Sequence, residues 1–444
     1  MKTPICDFVK KYVKDKPCRL HVPGHKGKGF LGVEKFDITE IDGADDLQSP
    51  ESIIAQSQDN ASKLFGYPTF YTTEGSSHAI RAMVYLASLY ALRNGLSTSI
   101  LATRNVHKSF LSATALLGID VQFIKGEDGC YLSSNLSASR LEEHLKNLKT
   151  LPCALYVTSP DYLGNLADVS GLKEVCQKFG LLLLVDNAHG AYLKFLEQSL
   201  FPLDLGADMC ASSAHKTLPV LTGGAYLHLA NALNKELGVE IKNALSIFGS
   251  TSPSYLILQS LDYANYLIEN GFSAKLKKVC EKVKALCEKL NQGFYSASVL
   301  EPLKLTIMPK SFGYTGELLK DILYRERLIP EFYDCDYIVL SFSVNTSYNT
   351  FKRLEKVLLN LKRQKPIESN PPKASEYKKV KDLSFILQAE TEVIDVNEAE
   401  NRVYAELNLH CPPAVPIIIA GELITKETIN TFNYYGIKKV KVIR

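Results

Sequence analysis

The stretch CASSAHKTLPVLTGGAYLHL, Cys210 to Leu229, sets Lys216 directly after Ser212, Ser213 and His215 and between two runs that read as buried strands. A lysine placed there either reaches solvent or has its charge managed chemically. A partly desolvated lysine loses its proton readily and condenses with aldehydes. Thirty residues earlier, KFGLLLLVDNAHGAYL ends another apolar run in Asp186, followed by Asn187, Ala188, His189 and Gly190. That spacing is about one strand-to-strand crossover, so Asp186 and Lys216 can stand on neighbouring strand ends facing one crevice. In YTTEGSSHAIRAMVYLASLYAL a strand-like stretch stops at Gly75, Ser76 and Ser77, and a long apolar-periodic helix follows. Two hydroxyls and several backbone N–H groups at a helix N-terminus read either as an anion site or as an ordinary N-cap.

An aldehyde with a phosphate for the Gly75-Ser76-Ser77 corner and a ring nitrogen for Asp186 is pyridoxal 5′-phosphate, and one such molecule uses all three features. A carboxylate about 4 Å from the pyridine nitrogen contributes roughly 4 kcal/mol at an effective dielectric near 20, or about three pKa units in favour of the protonated ring. The protonated ring is the better electron sink. Ser213 and His215 lie just before Lys216 and are placed to hydrogen-bond the phosphate. His107, in TRNVHKSF after the apolar run SILAT, reads as a ring-stacking group or as a surface histidine beside Lys108. His189 reads equally as a loop histidine. His21 and His25 have the i, i+4 spacing of a helical metal site, but Pro23 and Gly24 between them break such a helix. No metal site is expected, and HVPGHKG reads as a turn at the site entrance. Asp42, Asp45 and Asp46 suit a cationic substrate or a solvated loop.

The elements that must position these groups read as an α/β fold. Short apolar runs (SILAT, VQFIK, ALYVTSP, LLLLVDNAHG, MCASSAHK, GAYLHLA) alternate with helical segments and carry apolar or small residues on both sides, the pattern of a mostly parallel sheet covered by helices. Such sheets bind ligands beyond the C-terminal ends of their strands. Residues 1–50 read as an N-terminal arm, 51–270 as the large cofactor-binding domain, 271–365 as a smaller α/β domain, and 366–444 as a linker and C-terminal domain. The 444 residues are 46% hydrophobic, and 51 basic against 48 acidic residues leave a net charge of +3. This excludes a general attraction to nucleic acid or anionic lipid and leaves a small local ligand. Ten scattered cysteines form no C-x-x-C pair, and no segment approaches membrane-spanning length, so a reduced, cytoplasmic setting is expected.

In order along the chain, LHVPGHKG, DITEIDGADDL, EGSSHAI, NVHKS, VDNAHGA, SSAHKTL and STSPSYLILQSLD resemble the bacterial Orn/Lys/Arg decarboxylases. The resemblance covers nearly the whole chain, and its length matches the shorter members, without the receiver-like wing domain of the long inducible enzymes. It implies the fold-type I, aspartate aminotransferase-like architecture of pyridoxal-phosphate enzymes. It also implies decarboxylation of a basic amino acid, arginine first, then lysine or ornithine. Asp and Lys alone leave open an aminotransferase or lyase of the same fold, or a catalytically silent cofactor-binding regulatory protein.

Residue by residue, the resemblance implies that Lys216 is the covalent cofactor lysine, Asp186 the pyridinium partner and His107 the ring-stacking group. Ala188 packs on the other ring face, and Lys216 or His189 returns a proton to Cα. Ser76, Ser77, Ser213 and His215 bind the phosphate, joined by Ser250 and Ser252 across a homodimer with shared active sites. Glu331, in IPEFYD, meets the basic end of the substrate.

Overall fold

The apolar runs become strands because each is short, and most are rich in branched side chains and closed by a polar residue. The computed structural model describes residues 1–127, 131–293, 295–368, 370–373, 377–407 and 415–444. Cys130 and Cys411 lie outside them; the described cysteines are free thiols. In chain order the strands are β1 (Thr69–Thr72), β2 (Ile100–Thr103), β3 (Val121–Ile124), β4 (Ala154–Thr158), β5 (Leu182–Asp186), β6 (Met209–Ser212) and β7 (Ala225–Leu229). They are followed by β8 (Ser296–Ser298), β9 (Lys304–Met308), β10 (Phe332–Tyr333), β11 (Ile338–Ser341), β12 (Thr391–Asp395) and β13 (Lys439–Ile443). The chain divides into two units, one of Met1–Leu96 with Leu182–Lys275 and one of Ser97–Leu181 with Leu276–Arg444.

In the first unit the strand order is β1-β7-β6-β5. β5 and β6 are parallel, with Asp186 opposite Ala211. β7 runs antiparallel to both β6 and β1, the antiparallel member of a sheet expected to be mostly parallel. Two reversals leave β1 pointing the same way as β6 and β5, so the three strands end at one edge. Every residue of β5 is buried, and Leu183, Leu184 and Val185 are wholly so. Each such side chain contributes about 1.5–3 kcal/mol on burial. The helix Gly75–Arg93 follows β1 and packs across β6 and β7. The N-terminal helix Pro4–Asp15 is anchored by the Cys6 N–H, which donates to the buried Asp262 at 3.0 Å.

In the second unit β4, β2 and β3 form a parallel set, with Ile100 opposite both Ala154 and Val121. A separate antiparallel sheet has the order β10-β11-β9-β8, and β12 pairs antiparallel with β13. The helix Leu383–Gln388 packs on the helix Lys108–Leu117.

Candidate active site

The sequence of β6 ends in small polar residues that cannot continue a buried strand, so the chain leaves it at Ser212 and makes one helical turn, Ala214–Thr217. Lys216 sits on that turn. Its ammonium lies 3.0 Å from His189 Nε2. The expected partial desolvation is corrected: Lys216 is exposed in the single chain, because it stands on the turn beyond the strand and not within it.

Asp186 closes β5 and is only 2% exposed; its Oδ1 accepts the Ala188 N–H at 3.1 Å. The turn after it is held to β6, where the Asn187 N–H donates to the Ala211 carbonyl and its Nδ2 donates to Ser212 Oγ, both at 2.9 Å. Ala188 is half-buried and His189 is 8% exposed.

Gly75, Ser76 and Ser77 form the first turn of the helix Gly75–Arg93. Ser213 Oγ donates to the buried Ser76 Oγ at 2.8 Å, which brings the start of that helix against the Lys216 turn. The Gly75 N–H donates to the Gly223 carbonyl at 2.7 Å. Gly223 has φ +102° and a Cβ there would lie 2.6 Å from the Thr73 carbonyl oxygen, so only glycine fits this close approach. His215 Nδ1–H donates to the Gly224 carbonyl at 3.0 Å, and the His215 ring reaches within 4.0 Å of the Cβ position of Gly75. Burial lowers the pKa of His215, against the raising effect of that carbonyl.

His78 locks the same corner. Its Nε2–H donates to the Leu245 carbonyl at 2.7 Å and its Nδ1 accepts the Thr72 hydroxyl at 2.6 Å, while burial lowers its pKa. Glu74 accepts the Ser250 N–H at 2.6 Å. Ser250 and Ser252 are exposed.

Lys216, His189, Asp186, Ala188, Gly75, Ser76, Ser77, Ser213, His215, Ser250 and Ser252 thus all belong to the first unit. The donor set fits pyridoxal phosphate: hydroxyls, a helix N-terminus and an imidazole for an anion, a buried carboxylate for a ring cation, and a reachable amine for an aldehyde. His107 and Glu331 belong to the second unit. His107 is half-buried and caps the helix Lys108–Leu117, its Nδ1 accepting the Ser109 N–H at 3.2 Å. Glu331 is exposed and accepts the Tyr162 hydroxyl at 3.3 Å.

Asp45 is corrected as a substrate acceptor. It is buried and spends its oxygens on the N–H groups of Glu51, Ser52, Ile54 and Ala55, the start of the following helix. His21 meets the Tyr12 hydroxyl and His25 meets Asp37. Among the described residues the donor group compact enough for a metal is Asp334, Cys335 and Asp336, where Asp336 already binds Lys310 at 2.8 Å. Sequence reasoning missed Asn187, Gly223 and Glu74; the paired glycines of LTGGAY were a readable sign of the close approach.

A model of the Orn/Lys/Arg decarboxylase major domain matches residues 3–294, and one of the corresponding C-terminal domain matches 365–440. The chain is 32% identical to an arginine decarboxylase of Bacillus subtilis, over 97% of this chain and 92% of that protein. It is 30% identical to an arginine decarboxylase of Halalkalibacterium halodurans, over 96% and 92%. The crystal structure of the Francisella novicida lysine decarboxylase LdcF superposes with a TM-score of 0.79 at 15% identity, covering 100% of this chain and 81% of that one. The architecture is that of the fold-type I pyridoxal-phosphate enzymes. No described helix is long and apolar enough to cross a membrane.

Proposed function

Because the chain belongs to the Orn/Lys/Arg decarboxylase family, a pyridoxal-phosphate-dependent decarboxylase family, we propose that its reaction is arginine to agmatine and carbon dioxide, with lysine and ornithine as lesser substrates. The relatives at 30–32% identity that carry the name arginine decarboxylase support arginine as the first choice. The observation that carries the site reading is the 3.0 Å contact of Lys216 Nζ with His189 Nε2 beside the buried Asp186.

Bound pyridoxal phosphate supplies a ring that accepts the electron pair left behind when carbon dioxide departs. Lys216 would hold the cofactor through Nζ. Asp186 would keep the proton on the pyridine nitrogen, and His107 and Ala188 would confine the ring faces. Ser76, Ser77, Ser213 and His215 would bind the phosphate, joined by Ser250 and Ser252 across a homodimer. Lys216 and His189, in mutual contact, move a proton between Nζ and Nε2 and deliver it to Cα.

Glu331 faces the far cation of the substrate. A guanidinium engages a carboxylate through two parallel hydrogen bonds, which favours arginine over an ammonium of similar reach. The test is release of carbon dioxide and amine from arginine, lysine, ornithine and neutral controls. Arginine turned over fastest, with Glu331→Gln raising KM for arginine about tenfold or more while sparing neutral amino acids, is the expected result. A wild-type preference for acidic or small neutral amino acids contradicts the substrate class. Mixing Lys216→Ala with a Ser250→Ala, Ser252→Ala chain is expected to restore activity through hybrid dimers, and no recovery after verified exchange contradicts the shared site.

A further inference from the structure

The C-terminal segment grips both flanks of His107. Three residues before it, Arg104 leaves the end of β2, and its two terminal nitrogens donate to the two carboxylate oxygens of Glu422, each at 2.7 Å. The side chains are 11% and 4% exposed, so the pair is desolvated as well as bidentate. Tyr377 lies 4.7 Å and Phe123 5.9 Å from the guanidinium carbon.

Glu422 is itself held in place. Its Oε2 accepts the Ile419 N–H at 2.8 Å, and Gly421 before it has φ +94° with a Cβ position only 2.2 Å from the Lys381 carbonyl oxygen. Immediately beyond His107, the helix it caps is covered by the helix Leu383–Gln388. Between the two grips, the Asn105 carbonyl accepts the Thr158 hydroxyl at 3.1 Å and Val106 is fully buried. Three residues span at most about 10 Å, so a shift of Arg104 reaches the imidazole with little slack.

We propose that the C-terminal domain acts on the reaction by fixing the turn that carries His107, with Arg104 and Glu422 as positioning residues. This rests on the reading that His107 meets the cofactor ring. A domain 318 residues away in sequence thereby sets the geometry of a group that touches the reacting system.

The test uses the full chain and two readouts. In the cofactor-free protein, hydrogen exchange is followed at residues 105–117, with β5 as the internal control. In the loaded enzyme, kcat, KM and the visible circular dichroism of the cofactor are measured. Glu422→Gln and Arg104→Lys keep size or charge but break the fork, and stand beside Glu422→Ala should that variant not fold. We expect faster exchange confined to residues 105–117, a weaker cofactor dichroism, and a kcat reduced by up to about a hundredfold with KM little changed, since a displacement of about 1 Å is enough for such a loss. Joining Arg104→Glu with Glu422→Arg should recover part of it. Unchanged exchange at 105–117 in Glu422→Gln and Arg104→Lys overturns the grip, and changed exchange with unchanged kcat and dichroism overturns its bearing on the reaction. His107→Ala separates the two readings: if it leaves kcat and dichroism as in wild type, the role of His107 fails while hydrogen exchange still reports on the grip.

Discussion

Lys216 and Lys310 have opposite surroundings. Lys310 is 7% exposed, with Nζ 2.8 Å from Asp336 Oδ1 and 3.0 Å from the Tyr434 hydroxyl. Burial pulls its pKa down, but the hydrogen bonds and charge of Asp336 and Tyr434 outweigh it and hold the ammonium above its ordinary value. Lys304 is similar, buried at 2% and paired with Glu301 at 2.9 Å. Lys216 is exposed, on a helical turn, against an imidazole nitrogen. Burial therefore does not mark the lysine proposed to react. A carboxylate that locks the charge makes an amine a poor nucleophile, whereas a neighbouring imidazole gives its proton somewhere to go.

Mutating each lysine in turn gives the largest effect. Lys216→Ala should lower turnover by about a thousandfold or more, since it removes both the proposed anchor and a proposed proton carrier. Lys310→Met should leave turnover nearly unchanged and lower stability by about 3 kcal/mol in urea unfolding, because Asp336 is left buried without its ammonium. Loss of turnover in Lys310→Met with stability intact breaks the comparison.

Asp186→Asn comes next, since it keeps size and hydrogen bonding but removes the charge proposed to hold the proton on the cofactor ring. Turnover should fall by about a hundredfold or more while cofactor affinity falls modestly, because the lost stabilisation grows as charge develops. Near-wild-type turnover contradicts the electron-sink role.

The smallest effect is a pH dependence. Burial lowers the pKa of His215 and so favours its neutral ring, with Nδ1–H on the Gly224 carbonyl. An arriving phosphate favours the imidazolium, so the bound-state pKa lies above the unbound one. The added affinity is fully present below the unbound pKa and is lost as pH rises through the bound one. Titration calorimetry in buffers of different ionisation enthalpy should show proton uptake on binding, abolished in His215→Asn. Uptake that persists in the variant assigns the proton elsewhere.

Much of this was legible in the sequence for local reasons. LLLLVD reads as a buried strand, and thirty residues to Lys216 corresponds to the parallel neighbours β5 and β6. The strand-to-helix break at EGSS fell at Gly75, where the helix begins. What stayed hidden was non-local or directional. An apolar run reads the same whichever way the strand points, so the antiparallel β7 gave no sign. The exposure of Lys216 depends on β6 ending at Ser212 and not a turn later. Asp45 reads as an acidic loop residue until the helix it caps is placed above it. Arg104 and Glu422 are far apart in the chain, and neither position carries a pattern that names its partner.

The contrast between the lysines is tested most directly by reducing the cofactor-loaded protein with borohydride and mapping the modified peptide. A single pyridoxyl adduct on Lys216, with Lys304 and Lys310 unmodified, is the expected result. An adduct on either of those lysines, or none on Lys216, would contradict the assignment of Lys216 as the reactive amine.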